Sequence, residues 1–163
     1  MVQTALPSGT VSNNWDTLVG STAHEALQSS DGDTSKISTG TQGDISNVNI
    51  DSLTDPAVGT GHIIKINAQA AGGAAPERIT FKLFQSTTEI ATSGSVAITR
   101  GSYNDYTYTL SAAEADAITD YTVLRIWIEA TTMGSETLDV SYAELVVPDA
   151  STGFAHSQGC VIG

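Results

Sequence analysis

Four short runs of this chain alternate apolar and polar residues with a period of two, and this constrains the fold more than any other feature. After His62, the residues Ile64, Ile66 and Ala68 share one face, while Lys65 and Asn67 take the other. Ile79, Phe81 and Leu83 repeat the pattern against Thr80 and Lys82. Leu124, Ile126 and Ile128 oppose Arg125 and Glu129, and Leu138, Val140 and Tyr142 alternate with Asp139 and Ser141. Successive side chains of an extended chain point to opposite faces, so one apolar face per run marks a half-buried antiparallel strand. Weaker strand signals surround Trp15, Ile37, Ile45 to Ile50, Ile90 to Ile98 and Tyr106 to Leu110. About eight or nine strands at near-regular spacing predict an all-β fold, an antiparallel two-sheet sandwich that is jelly-roll-like.

Turn signals separate these runs, among them Gly72-Gly73 with Pro76, and Met133-Gly134-Ser135. One short helical turn is expected near 111–119. Ser111-Ala112-Ala113-Glu114 has the spacing of a capping box, in which the serine caps the first turn and the glutamate reaches back. A second short turn is expected from Ser21 to Leu27, before the Asp31-Gly32-Asp33 loop. Residues 1–13 are rich in Ser, Asn, Pro and Gly and read as an N-terminal arm. Residues 14–148 read as the β-sandwich domain. Residues 149–163, after Pro148, read as a flexible C-terminal tail.

The chain has 163 residues, enough for one domain with a substantial core. Apolar residues make up 40% and charged residues 15%, which is too apolar for a disordered chain. The net charge is -12, and the six basic residues are scattered. Nucleic acid and anionic membranes are therefore not expected as partners, since both are held by clustered Lys and Arg. No stretch approaches the roughly 20 apolar residues of a membrane span. Met1 to Thr10 lacks the basic and apolar segments of a secretory signal, so synthesis in a cytoplasm is expected. The single cysteine, Cys160, has no intramolecular disulfide partner.

Few residues stand out as chemistry. Asp31 and Asp33 sit two apart, followed by hydroxyls, an oxygen cluster of the kind calcium takes. The EF-hand pattern fails, because Lys36 stands where Gly is needed and Gln42 where Glu is needed. The alternative is a solvated turn, where Asp and Gly are favoured in any case. No other cofactor is expected. His24, His62 and His156 share no ligand spacing, and no Gly-x-Ser-x-Gly elbow is present. His156 and Cys160 lie in the expected tail, a poor setting for a catalytic thiol. No catalytic residue is assigned, and an enzyme is not expected. Tyr106 and Tyr108 share one strand face, and Trp127 lies on the polar side of its run. Such aromatics serve as core, as subunit interface, or as platforms for stacking on sugar rings.

An ordered series of local patterns adds a resemblance. Trp15 is followed by Asp31-Gly-Asp-Thr, then Asp55-Pro56 and Gly59-Thr60-Gly61-His62 leading into a strand. Tyr106-Thr-Tyr-Thr-Leu-Ser-Ala-Ala-Glu-Ala-Asp-Ala-Ile-Thr-Asp-Tyr121 then runs into Leu124-Arg125, and Ser141-Tyr-Ala-Glu-Leu145 ends at Pro148. Across residues 15–148 this resembles the small β-sandwich virion proteins of tailed bacteriophages, and the stretch from Leu110 to Arg125 is its most specific part. The resemblance implies a virion structural protein, foremost a capsid decoration (cement) protein, or a neck or tail module. It implies assembly on major capsid or other virion proteins through loops and termini, as a homo-oligomer, and it implies no catalytic residue. The alternatives are a glycan-binding adhesin or tail-fibre module using Tyr106, Tyr108 or Trp127, or a filament subunit whose N-terminal arm donates a strand.

Overall fold

The computed structural model describes residues 1–72, 77–134 and 136–150. The chain forms the expected all-β sandwich, as two antiparallel sheets of six strands each. The strands are β1 (Val2–Ala5), β2 (Pro7–Asn13), β3 (Thr17–Val19), β4 (Lys36–Thr39), β5 (Ile45–Ile50) and β6 (Ile63–Ala70). They continue as β7 (Arg78–Gln85), β8 (Thr88–Thr92), β9 (Val96–Ala97), β10 (Asn104–Thr109), β11 (Leu124–Thr132) and β12 (Leu138–Pro148). Sheet one runs β10-β6-β12-β4-β3, with β1 also paired to β12. Sheet two runs β2-β5-β11-β7-β8, with β9 also paired to β7.

The alternating runs supply the two inner faces. Ile64, Ile66, Leu138, Val140 and Leu145 of sheet one meet Val48, Ile79, Phe81, Leu83, Ile126 and Ile128 of sheet two in one core. Removal of this apolar surface from water is the main favourable contribution to folding. Leu124, Ile126 and Ile128 face inward as expected, so Arg125, Trp127 and Glu129 are placed on the outside of sheet two.

The final strand departs from simple alternation. Its register with β6 shifts between Val140 and Tyr142, a β-bulge that inserts Ser141 into the ladder. Ala143, Leu145 and Val147 therefore follow Val140 into the core, while Tyr142 turns outward beneath Lys65, whose ammonium lies 5.6 Å from the ring centroid. The expected inward Tyr142 is thus corrected by one extra residue.

Residues 1–13, expected as an arm, are part of the sandwich. β1 pairs along Leu145 to Pro148 in sheet one, and β2 pairs along β5 in sheet two. The segment joins both sheets through backbone hydrogen bonds, and of its side chains Ala5 and Pro7 are the buried ones. Pro, Gly and two register shifts in β2 suit an edge strand and hide its periodicity. Of the expected tail, residues 151–163 lie outside the described residues, and with them His156 and Cys160.

Both short helical turns are present: α1 (Ala23–Ala26), capped by Thr22, and α2 (Ala112–Asp116). In α2 the Ser111 hydroxyl accepts the Glu114 N–H at 3.3 Å, and the Glu114 carboxylate accepts the Ser111 N–H at 2.7 Å. The capping box read from the sequence is formed, and Ala115 with Ile118 packs the turn onto the core. In the loop before β6, Gly61 adopts φ +79, and a Cβ there would meet Pro148 at 3.0 Å. Both the backbone angle and the close approach require glycine.

Candidate functional site

The two sheets differ in how their outer faces are used. On sheet one the polar side chains bind one another. Lys65 bridges Asp105 at 3.0 Å and Glu144 at 3.5 Å, and Asn67 donates to Asp105 at 2.7 Å. Asp139 accepts hydrogen bonds from Lys36, Ser38 and Gln69. Such a face is satisfied internally and offers few open donors or acceptors to a ligand.

Sheet two pairs Lys82 with Glu89 and Arg125 with Asn49, and leaves other polar groups of its face without a partner among the described residues. Trp127 sits in register with Asn47 on β5 and Lys82 on β7, and Arg125 with Asn49 and Phe84. The Phe84 and Trp127 rings are diagonal neighbours with centroids 5.5 Å apart. The Trp127 Nε1 donor and the Asn47 Oδ1 acceptor are buried without a hydrogen-bond partner among the described residues, as is Asn13 Oδ1 nearby. Buried polar groups of folded proteins are normally paired, so this concentration around one tryptophan marks the face out.

Two cavities open along β11, one at Trp127 and one at Arg125. One, about 270 Å³, takes its apolar lining from Trp127 and Ile45 and its polar lining from Ser12, Asn13 and Asn14. The other, about 420 Å³, is lined by Arg125, Asn49, Asp51 and the hydroxyls of Ser52, Ser86 and Thr122. Arg125 and Trp127 are two residues apart on one face of β11, so roughly 7 Å of strand joins the cavities. An apolar ring surface flanked by amides and hydroxyls is chemically matched to a ligand with apolar faces and a polar rim.

The residues singled out from the sequence are dispersed. Trp127 lies on this face. Tyr106 and Tyr108 lie on β10, at the edge of the other sheet, and pack against the core. Their hydroxyls are engaged, Tyr106 accepting the Thr99 N–H at 2.6 Å and Tyr108 donating to Glu114 at 2.8 Å. The three aromatics therefore form no common row. Asp31 precedes a short 3₁₀ turn, Gly32–Thr34, and Asp33 is its middle residue. Asp31 accepts the Ser35 N–H and hydroxyl, and Asp33 accepts from Lys36 at 2.7 Å and Tyr103 at 3.1 Å. Lys36 foremost, then Tyr103, holds the Asp33 carboxyl below its usual range. Protein donors thus occupy oxygens of both carboxylates, and no cluster of three or more metal-ligating residues occurs among the described residues.

A third cavity, about 200 Å³, is lined by Asp55, Asp116 and Tyr121. Behind it His62 is wholly buried, with Nε2 2.7 Å from the Tyr121 hydroxyl. Burial pushes the His62 imidazole below its ordinary value, against the opposing pull of the Thr60 backbone and the Asp55 and Asp116 charges.

Phe84, Asn47 and Arg125 were not apparent as site residues from the sequence. A usable signal was present for the aromatics. Phe84 follows Lys82 on the polar parity of β7, as Trp127 follows Arg125 on β11, so each is an aromatic on the wrong side of its own alternation.

No protein-family model matches the chain, and no curated protein sequence matches it. Solved structures do. The chain is similar to a xylan-binding module, CBM15, at 12% identity and a TM-score of 0.55, covering 90% of this chain and 98% of that one. A second similar structure is BiXyn10A CBM1 in its apo form, at 11% identity and a TM-score of 0.49, covering 88% and 96%. The likeness to the xylan-binding module shows a shared β-sandwich fold and, at this identity, the fold alone.

Proposed function

We propose that this domain is a non-catalytic carbohydrate-binding module that holds a glycan against the outer face of sheet two. The observation that carries this reading is the Phe84–Trp127 pair on the outer face of sheet two, with Trp127 lining one cavity and Arg125, two residues away on β11, lining another. The C–H face of a sugar ring packs on an aromatic ring, while its hydroxyls reach the amides and hydroxyls at the rim. The fold shared with a xylan-binding module supports it and makes xylan the first probe. The virion reading rests on local sequence patterns, and no feature of the face is specific to it.

Affinity electrophoresis against xylan, mixed-linkage glucan and mannan, followed by calorimetry on any glycan that retards the protein, tests the proposal. The wild type is expected to be retarded by at least one of them. Trp127→Ala is expected to lose about tenfold or more of the affinity, the loss typical of a central aromatic anchor. Absence of retardation by every glycan at saturating concentration would sink it.

A further inference from the structure

We infer that this face is selective for glycans bearing carboxylate groups, and that Arg125 is the residue that reads them. The inference rests on the binding face proposed above and names its substrate class.

The first observation is the pairing of the cations. The chain has six basic residues against eighteen acidic ones. Lys36 lies 2.7 Å from Asp33, Lys65 3.0 Å from Asp105, Lys82 3.0 Å from Glu89 and Arg100 3.3 Å from Glu77. Arg78 and Arg125 form no ion pair among the described residues. In so acidic a chain, a guanidinium without a carboxylate is the exception. Arg78 stands at the far end of β7, six residues and roughly 20 Å from Phe84. Arg125 is in direct register with Phe84 and two residues from Trp127.

The second observation is how Arg125 is held. Its Nε donates to Asn49 Oδ1 at 3.1 Å, and Asn49 is its register partner on β5. That bond fixes the guanidinium plane and leaves the two terminal nitrogens, four N–H groups, for another acceptor. Paired N–H groups in one plane match the two oxygens of a carboxylate. The side chain lines the cavity of about 420 Å³, which has room for a substituent projecting from a stacked sugar.

The net charge of -12 does not forbid this. At physiological salt, charges more than about 8 Å apart are largely screened, so the groups in the cavity decide. The opposing group there is Asp51, which lines the same cavity without an ion pair to Arg125. A single cation beside a single carboxylate suits occasional uronic acids on a mostly neutral chain. It does not suit a continuous polyanion.

The test compares a uronic-acid-substituted xylan with the same polymer after chemical reduction of its carboxyl groups, by calorimetry at low and high salt. The wild type is expected to bind the acidic form about fivefold more tightly, as a part-exposed ion pair allows, and 0.5 M NaCl should shrink the difference. Arg125→Gln is expected to bring the ratio to about one, and Asp51→Asn to raise it. Equal binding of the two polymers by the wild type, or a ratio that neither substitution moves, overturns the inference while leaving glycan binding intact. If neither polymer is bound, the proposed function fails with it. Melting curves of both variants confirm that they fold.

Discussion

Phe84 and Trp127 meet across two adjacent strands of sheet two, with ring centroids 5.5 Å apart and planes tilted by 34°. Neither ring belongs to the core, so the pair stabilises the sheet from outside and restrains the tryptophan's orientation. Tilted aromatic pairs contribute about 0.5–1.5 kcal/mol beyond their buried area. A double-mutant cycle of Phe84→Ala and Trp127→Ala in urea denaturation should return a coupling in that range. Phe84→Ala alone should weaken glycan binding, and by less than Trp127→Ala does. A coupling near zero would show that the rings act independently.

Much of the fold can be read in the chain because a half-buried strand writes its burial into every second residue. Ile64 and Ile66, or Ile126 and Ile128, could face only one way. The capping box at Ser111 and Glu114 is equally local, since four consecutive residues contain both partners. What cannot be read so directly is set by backbone pairing. β1 and β2 are held mainly by main-chain bonds, so Val2 to Asn13 carries almost no apolar alternation and passes for an arm. The bulge at Ser141 has no signature of its own, yet it reverses the facing of Tyr142. On the outer face of sheet two, Trp127 is visible as a break in parity. Asn47 and Asn49 become meaningful only once β5 lies beside β11, and that is a register no local pattern encodes.

Asp139 is buried in sheet one and accepts hydrogen bonds from Ser38 Oγ, from Lys36 Nζ at 2.9 Å and from Gln69 Nε2 at 3.2 Å. Lys36 is the cation of this group, and it reaches Asp33 as well. Lys36→Met keeps the aliphatic stem and removes the charge, leaving the Asp139 carboxylate in the sheet with neutral donors only. Breaking a buried pair in this way costs about 3–5 kcal/mol, and the part-exposed lysine places the expectation at the lower end. The double variant Lys36→Met/Asp139→Asn should recover much of the loss, because no uncompensated charge then remains. Urea midpoints of the three proteins check this, and a double variant no more stable than Lys36→Met would contradict it.

His62 gives the fold a pH dependence of definite sign. The imidazole is wholly buried against Tyr121, and burial lowers its proton affinity in the folded chain. The same burial pushes the Tyr121 phenol up to about 12, with Asp55 and Asp116 adding to the effect. The phenol therefore stays protonated throughout the neutral range. The unfolded chain binds a proton at His62 near the ordinary value of about 6.5, while the folded chain binds it only at lower pH. Between those two values the unfolded state holds more protons, so this contribution to stability is complete above about pH 6.5 and declines as the pH falls. The carboxyls held below their usual range, such as Asp16 and Asp33, weaken the fold only in more acid solution. Urea midpoints at pH 7.5 and 5.5 therefore span the histidine's window, and the His62→Gln comparison assigns it. The wild type should be clearly less stable at pH 5.5, and His62→Gln, whatever its absolute stability, should show a smaller change over the same interval. Equal changes in the two proteins would assign the pH dependence to another group.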